Sequence, residues 1–279
     1  ILPFTQLTHN KISAPKRPGR LSIRPLFISA NPKEIIMSKA MQNLSRRFPE
    51  LVDSAIKAAF TNRGFLSWNQ GIEMWTIDRP VASCTHCTSF CRRNCYTNKA
   101  YVQYHHIMPT SDIKNEYRWN LMTGEALADE IHRKNKRARS RKVERVRFCS
   151  KGEPFSELSD IGRIKSIGME NPEVLFWIPT RSWRREAFRE RIETELLQYP
   201  NLRIMASIDP SNSIEEVQMI DQAGWSKMFF GIDDVKEAEA IFRIKFAKCP
   251  KTHEGLHGSC QMCNLCFRAE QINVHLKKH

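Results

Sequence analysis

From residue 72 onward, short apolar runs rich in β-branched and aromatic residues alternate with stretches whose apolar positions recur at helical spacing. The strand candidates are Ile72–Ile77, Val143–Cys149, Val174–Pro179, Leu202–Ile208, Lys227–Ile232 and Ile241–Phe246. Helical periodicity is expected over 96–106, 112–122, 125–138, 157–167, 183–198, 213–223 and 234–240. An earlier helix is expected from about residue 48, with Pro49 in its first turn and Leu51, Ile56 and Phe60 as its apolar positions. Several strand runs are apolar on both faces, as strands covered from both sides must be. Strand–helix alternation implies parallel pairing through right-handed crossovers. The pattern therefore predicts an α/β fold: a partial (β/α)6-type barrel with parallel strands, with a doubly wound sheet as the alternative. No internal repeat interrupts it.

Both ends depart from this pattern. Residues 1–36 hold five prolines, six basic residues and one acid, Glu34, and show neither period. They are expected to be a disordered basic tail outside the fold, because Met37-Ser38-Lys39 resembles a translation start and proline at that density breaks a helix. The body is expected over 37–247. Residues 248–279, rich in Cys, Lys and His, are expected to form a small appended Cys-rich metal module.

Composition narrows the function classes. A chain of 279 residues with 41% hydrophobic content can bury a core, and 27% charged residues is too few for general disorder. No apolar run reaches the roughly 18–20 residues of a membrane span, so no membrane association is expected. Nine cysteines without an export signal point to a reducing, cytoplasmic setting, where clustered thiols serve metals or catalysis rather than disulfides. The formal charge of +14 permits a nucleic-acid partner without identifying one.

Eight of the nine cysteines fall into two groups. The first, Cys84, Cys87, Cys91 and Cys95, follows the first predicted strand, and the second is Cys249, Cys260, Cys263 and Cys266. Structural zinc sites join two Cys pairs across a loop of a dozen or more residues, whereas three residues separate Cys87 from Cys91. Closely spaced thiolates on one loop suit an iron–sulfur cube, and C-x2-C-x2-C with a distant Cys249-Pro250 has ferredoxin-type [4Fe–4S] spacing. One or two [4Fe–4S] clusters are expected, with zinc as the alternative at the C-terminal site. His86, His253 and His257 could complete a zinc site, although exposed loop histidines read the same way.

Three motifs accompany the first group in chain order: Ser150-Lys151-Gly152-Glu153-Pro154 after the second strand, Ser207-Ile208-Asp209 at the end of the fourth, and Gly231-Ile232-Asp233 at the end of the fifth. In this layout the chain resembles the radical SAM superfamily over roughly residues 65–247. More loosely, it resembles the phage-encoded gene product 88 proteins, through Cys91-x3-Cys95-Tyr96 and the Cys-rich C-terminus. The first resemblance implies that Cys87, Cys91 and Cys95 hold three irons of a cluster whose fourth iron binds S-adenosylmethionine (SAM). It further implies that the Gly152-Glu153 turn meets the methionine amine, and that Ser207 and Asp209 bond the ribose. Reduction would then give a 5′-deoxyadenosyl radical that abstracts a hydrogen atom, with a flavodoxin or ferredoxin as electron donor. Three departures stand against this. The spacing is C-x3-C-x3-C, Lys151 replaces a first glycine, and Cys84 is an extra thiol able to close the fourth iron. Without SAM chemistry, the chain would be a cluster-bearing nucleic-acid-binding or structural protein.

Cys149, at a strand end, reads as a hydrogen-atom donor or as core. Residues Arg133–Arg147 carry nine basic side chains and one acid. They read as a nucleic-acid or anion patch at the strand N-terminal end, away from the expected site. Arg181 is placed to pair with the SAM carboxylate. Trp183 reads as a stacking platform or a packing anchor.

Overall fold

The computed structural model describes residues 37–59, 65–105, 107–138, 141–255 and 260–277. Residues 1–36, Phe60, His106, Arg139 and His257 lie outside these. The strands are β1 (Leu66–Asn69), β2 (Met74–Ile77), β3 (Arg145–Phe148), β4 (Leu175–Thr180), β5 (Leu202–Ile208), β6 (Ser226–Phe230), β7 (Ala247–Lys248) and β8 (Asn273–Leu276). They form one sheet in the order β1-β2-β3-β4-β5-β6-β8-β7, in which the β1–β2 pair is antiparallel and every other pair is parallel. The expected α/β class and parallel pairing hold.

Among the described residues, twelve helices connect or flank these strands: α1 (Lys39–Arg47), α2 (Val52–Ala59), α3 (Ser89–Arg93), α4 (Tyr96–Gln103), α5 (Met108–Leu121), α6 (Gly124–Arg137), α7 (Ser159–Glu170), α8 (Glu186–Glu195), α9 (Ile214–Gln222), α10 (Val235–Phe242), α11 (Pro250–His253) and α12 (Cys260–Cys263). Alternation along the strands divides the core. Val146, Phe148, Phe176, Ile178, Ile204, Ile208 and Phe229 meet Ile131, Ile164, Ile192 and Ile220 of the crossover helices on one face. Met74, Trp177, Met205, Met228 and Val274 point to the other face, where Phe267, Leu265, Cys249, Cys260 and Cys266 cover them. Among the described residues, no helix is long and apolar enough to cross a membrane.

Three expectations change. Ile241–Phe246 is not a strand: Ala238 and Phe242 bury one face of α10, which Asp234 caps and Arg243 ends at φ 55°. Helical spacing thus outweighed the local apolar run. The β1 strand escaped notice because it is short and its burial does not alternate cleanly. Within the C-terminal segment, β8 pairs with β6 and β7 in the same sheet, a strand that the sequence pattern does not announce. Asn273-Val-His-Leu276 is too short and too polar to announce a strand.

Candidate cysteine centre

The first cysteine group rides on the loop that leaves β2. Its backbone is pinned from several sides. The Ser83 hydroxyl accepts from Glu153 N–H at 2.8 Å, and His86 Nδ1 lies 3.0 Å from the Ser182 hydroxyl. Thr88 caps α3 by accepting from Cys91 N–H at 2.9 Å and donates its own hydroxyl proton to Asp209 Oδ2 at 2.6 Å. Phe90 packs edge-on to Phe230, with ring centroids 5.7 Å apart. The loop is therefore anchored at the C-terminal ends of β3, β4, β5 and β6.

Gly231 makes the last of these anchors possible. It has φ +126°, and a Cβ there would lie 2.7 Å from both Phe90 Cζ and Pro210 Cδ. Gly231→Ala is expected to cost about 1–3 kcal/mol in urea unfolding. Wild-type stability in the variant would refute this account of the anchor.

The four thiols act on one another. Burial pushes Cys84 well above the ordinary thiol range, and Glu153, Cys91, Cys87 and Cys95 push it the same way. Burial also raises Cys91, against a hydrogen bond and positive charge from Arg181. Arg92 Nη2 approaches Cys87 Sγ at 3.7 Å. All nine cysteines are free thiols. Among the described residues, no three His, Cys, Asp or Glu side chains are arranged to hold a single metal ion.

The residues expected to bind SAM lie beside this loop, but largely bonded to one another. Gly152, at φ +86°, lets the chain pass over Arg79, whose carbonyl oxygen would sit 2.5 Å from a Cβ. Glu153 is buried; its carboxylate accepts from the Thr180 hydroxyl at 2.5 Å and Arg181 N–H at 3.0 Å, and burial raises its pKa. The Arg181 guanidinium stands 2.7 Å from Asp209 and over the Phe230 ring at 5.2 Å. Asp209 also accepts from the Ser211 hydroxyl at 2.6 Å. Burial works against its charge, but Arg181, Ser211 and Thr88 outweigh it and hold the carboxyl below its usual value. Ser207 is buried, and its carbonyl accepts from Trp183 Nε1 at 3.0 Å. Trp183 is a packing anchor, fully buried. Cys149 is buried at φ 54°, with its N–H bonded to the Ile77 carbonyl at 2.7 Å. Burial raises its thiol far above normal, against the Arg79 charge, and Cys84 acts on it too.

The sequence reading missed the groups beneath this floor. Arg79 forks onto Glu116 at 2.6 and 3.0 Å, reaches Asp160 at 2.8 Å, and bonds the carbonyls of Glu153 and Pro154. Asp78 accepts from the Ser150 N–H and hydroxyl at 2.7 and 2.6 Å. Asp112 is buried between Lys151 and the Tyr101 hydroxyl. Burial pushes its carboxyl up to about 6, against the pull of Lys151. A raised carboxyl favours the folded state while protonated. This contribution is full below the unfolded value near 4 and is lost as pH rises through about 6. Asp112→Asn is thus expected to flatten the fall in stability between about pH 4 and about pH 6. Urea unfolding at both ends of that window checks it, and an unchanged slope would refute it.

The second group gathers on the sheet face opposite the crossover helices. Cys249 and Cys260 bond backbone to backbone with His275 and Ile72, at 2.9 and 3.3 Å. Burial raises both Cys260 and Cys266, and Cys249 and Cys263 raise them further. His253 Nε2 meets His275 Nδ1 at 2.8 Å. Four described residues of the basic run 133–147 stack on aromatic rings. Lys134 and Arg141 stack on Trp75 and Trp68, at 4.2 and 4.8 Å. Arg145 and Arg147 turn to the second cysteine group's face, over Phe267 and Trp177 at 5.4 and 4.6 Å.

Fold and site together define a mixed α/β protein with two four-cysteine groups, one over strand C-terminal ends and one on a sheet face. The family model described as Gene product 88 matches residues 50–269, a span that includes both groups, and the chain belongs to that family. Comparisons with curated proteins and with solved structures gave no match.

Proposed function

We propose that this protein is an iron–sulfur enzyme of radical SAM type, with a [4Fe–4S] cluster on Cys87, Cys91 and Cys95 and an auxiliary metal centre on the second group. The observation that carries this reading is the seat of the first cysteine loop. It lies over the C-terminal ends of parallel strands β2, β3, β4, β5 and β6, which stand side by side in chain order. Such an order supports the partial-barrel reading, in which chemistry collects at that end.

The donor types suit a cluster: four free thiols lie on one loop within electrostatic reach of one another. The Gly152 turn packs against the Arg79 backbone, so the SAM part of this reading rests on the seat of the cysteine loop at the strand ends. When bound, cluster and SAM supply reductive cleavage to a 5′-deoxyadenosyl radical, given one electron from a flavodoxin- or ferredoxin-like donor. The chain's own residues position and screen. Arg181 sets its charge against Cys91 and Asp209, and Glu153 fixes the ends of β3 and β4 while its burial keeps water out.

A second reading has its own support. Cys84 stands within electrostatic reach of the other three thiols, and Glu153 and Asp209 are already bonded within the protein. These facts favour a four-thiolate cluster in a structural or nucleic-acid-binding protein. Anaerobic reconstitution followed by SAM and dithionite separates the two. The enzyme reading expects 5′-deoxyadenosine; its absence, with all four N-terminal thiols on iron, overturns it.

A further inference from the structure

Three neighbouring strands place Arg147, Trp177 and Arg203 in lateral register on the face opposite the crossover helices. Two strand spacings put the arginine Cα atoms about 10 Å apart. Arg147 leans over the Trp177 ring at 4.6 Å, toward Arg203. Both guanidinium groups carry a buried Nε with no hydrogen-bond partner. A buried charged donor without an acceptor costs free energy, and its presence in a fold calls for a missing partner. Arg79, by contrast, is satisfied by Glu116 and Asp160. The acid acting on Arg203 is Glu270, which is exposed and already 3.6 Å from Arg268. Arg147 acts on Tyr96, next to Cys95, and also on Cys260 and Cys266. It therefore stands between the two cysteine groups.

We propose that Arg147 and Arg203, on either side of Trp177, form an anion site that receives a phosphate group of the substrate. A single guanidinium fork satisfies a carboxylate, whereas two forks approaching from separate strands suit a tetrahedral dianion with oxygens turned both ways. A phosphate ester held there brings the rest of the molecule between the cysteine groups. The inference takes from the functional reading only the side on which substrate enters.

The test is calorimetric titration of the full chain, purified anaerobically, with inorganic phosphate and with acetate. Phosphate is expected to bind saturably and more tightly than acetate. Arg147→Met and Arg203→Met are each expected to weaken phosphate binding by about tenfold or more. Arg203→Lys, which keeps charge and stem, should recover part of that loss. Unfolding curves verify that each variant is folded, and an unfolded Met variant is replaced by Arg→Gln at the same position. Phosphate binding unchanged in folded variants overturns the site. So does a result in which Arg147→Met lowers metal content alone, which would make Arg147 a counter-ion to the thiolates. Equal affinity for acetate overturns the assignment to phosphate. No turnover is measured, so failure to form 5′-deoxyadenosine leaves this result standing, and the reverse holds equally.

Discussion

Arg79→Met is expected to lower the stability of the fold by about 3–5 kcal/mol. The guanidinium is fully buried and forks onto Glu116, with Asp160 on a third nitrogen. Burial alone would weaken its charge, but the two carboxylates hold it firmly protonated. Removing it leaves Glu116 without its cation and Asp160 with only Arg163, at 3.3 Å, and that penalty is large because both carboxylates are buried. Glu116 and Asp160 keep other donors, Asn120 at 3.0 Å and Trp119 Nε1 at 2.7 Å, which soften the loss without cancelling the charge. Arg79→Lys should recover little, since a point charge cannot bridge two acids and two carbonyls at once. Urea unfolding at neutral pH is the measurement. A loss below about 1 kcal/mol would mean that the triad contributes nothing beyond packing. The same variant should disturb the Gly152 turn, whose flanking carbonyls Arg79 holds.

That triad also shows where sequence reading stops. Arg79 lies 37 positions from Glu116 and 81 from Asp160, and no local spacing links an arginine to acids so distant. By contrast, Leu202–Ile208 is legible end to end, because a run buried at almost every position has no amphipathic helix to compete with. The cysteines are legible for a different reason. Their type and spacing carry the chemistry, and folding only has to bring the loop to the strand ends. Gly152-Glu153-Pro154 was legible as a turn, but the role of its glutamate was not. The Glu153 carboxylate ties β3 to β4, a use that depends on Thr180 and Arg181, which are far along the chain. In the basic run 133–147, strand alternation sends Arg145 and Arg147 to a face that charge density alone does not reveal. In physical terms, what is local in sequence was readable, and what depends on side chains meeting across the sheet was not.

Under the proposed [4Fe–4S] reading, Cys91→Ala is expected to remove the iron of the first group, about four irons per chain, while leaving the second group's metal in place. Arg181 sets a hydrogen bond and positive charge on Cys91, which partly offset the burial that raises its thiol. Cys84 differs: it is half-buried beside Glu153, whose charge opposes ionisation of the thiol. Under the enzyme reading Cys84 is not a ligand, and Cys84→Ala should retain all the iron and the absorbance of the reconstituted protein. Cys266→Ala provides the complementary control, emptying the second group and sparing the first. Iron per chain, visible absorption and electron paramagnetic resonance after dithionite give three independent readouts. Equal iron loss from Cys84→Ala and Cys91→Ala would mean that four thiolates close the cluster. No coordination position would then remain for SAM, and the enzyme reading would fail at that residue. Zinc alone in the anaerobically purified wild type would defeat both iron readings, because a d10 ion takes no part in one-electron reduction.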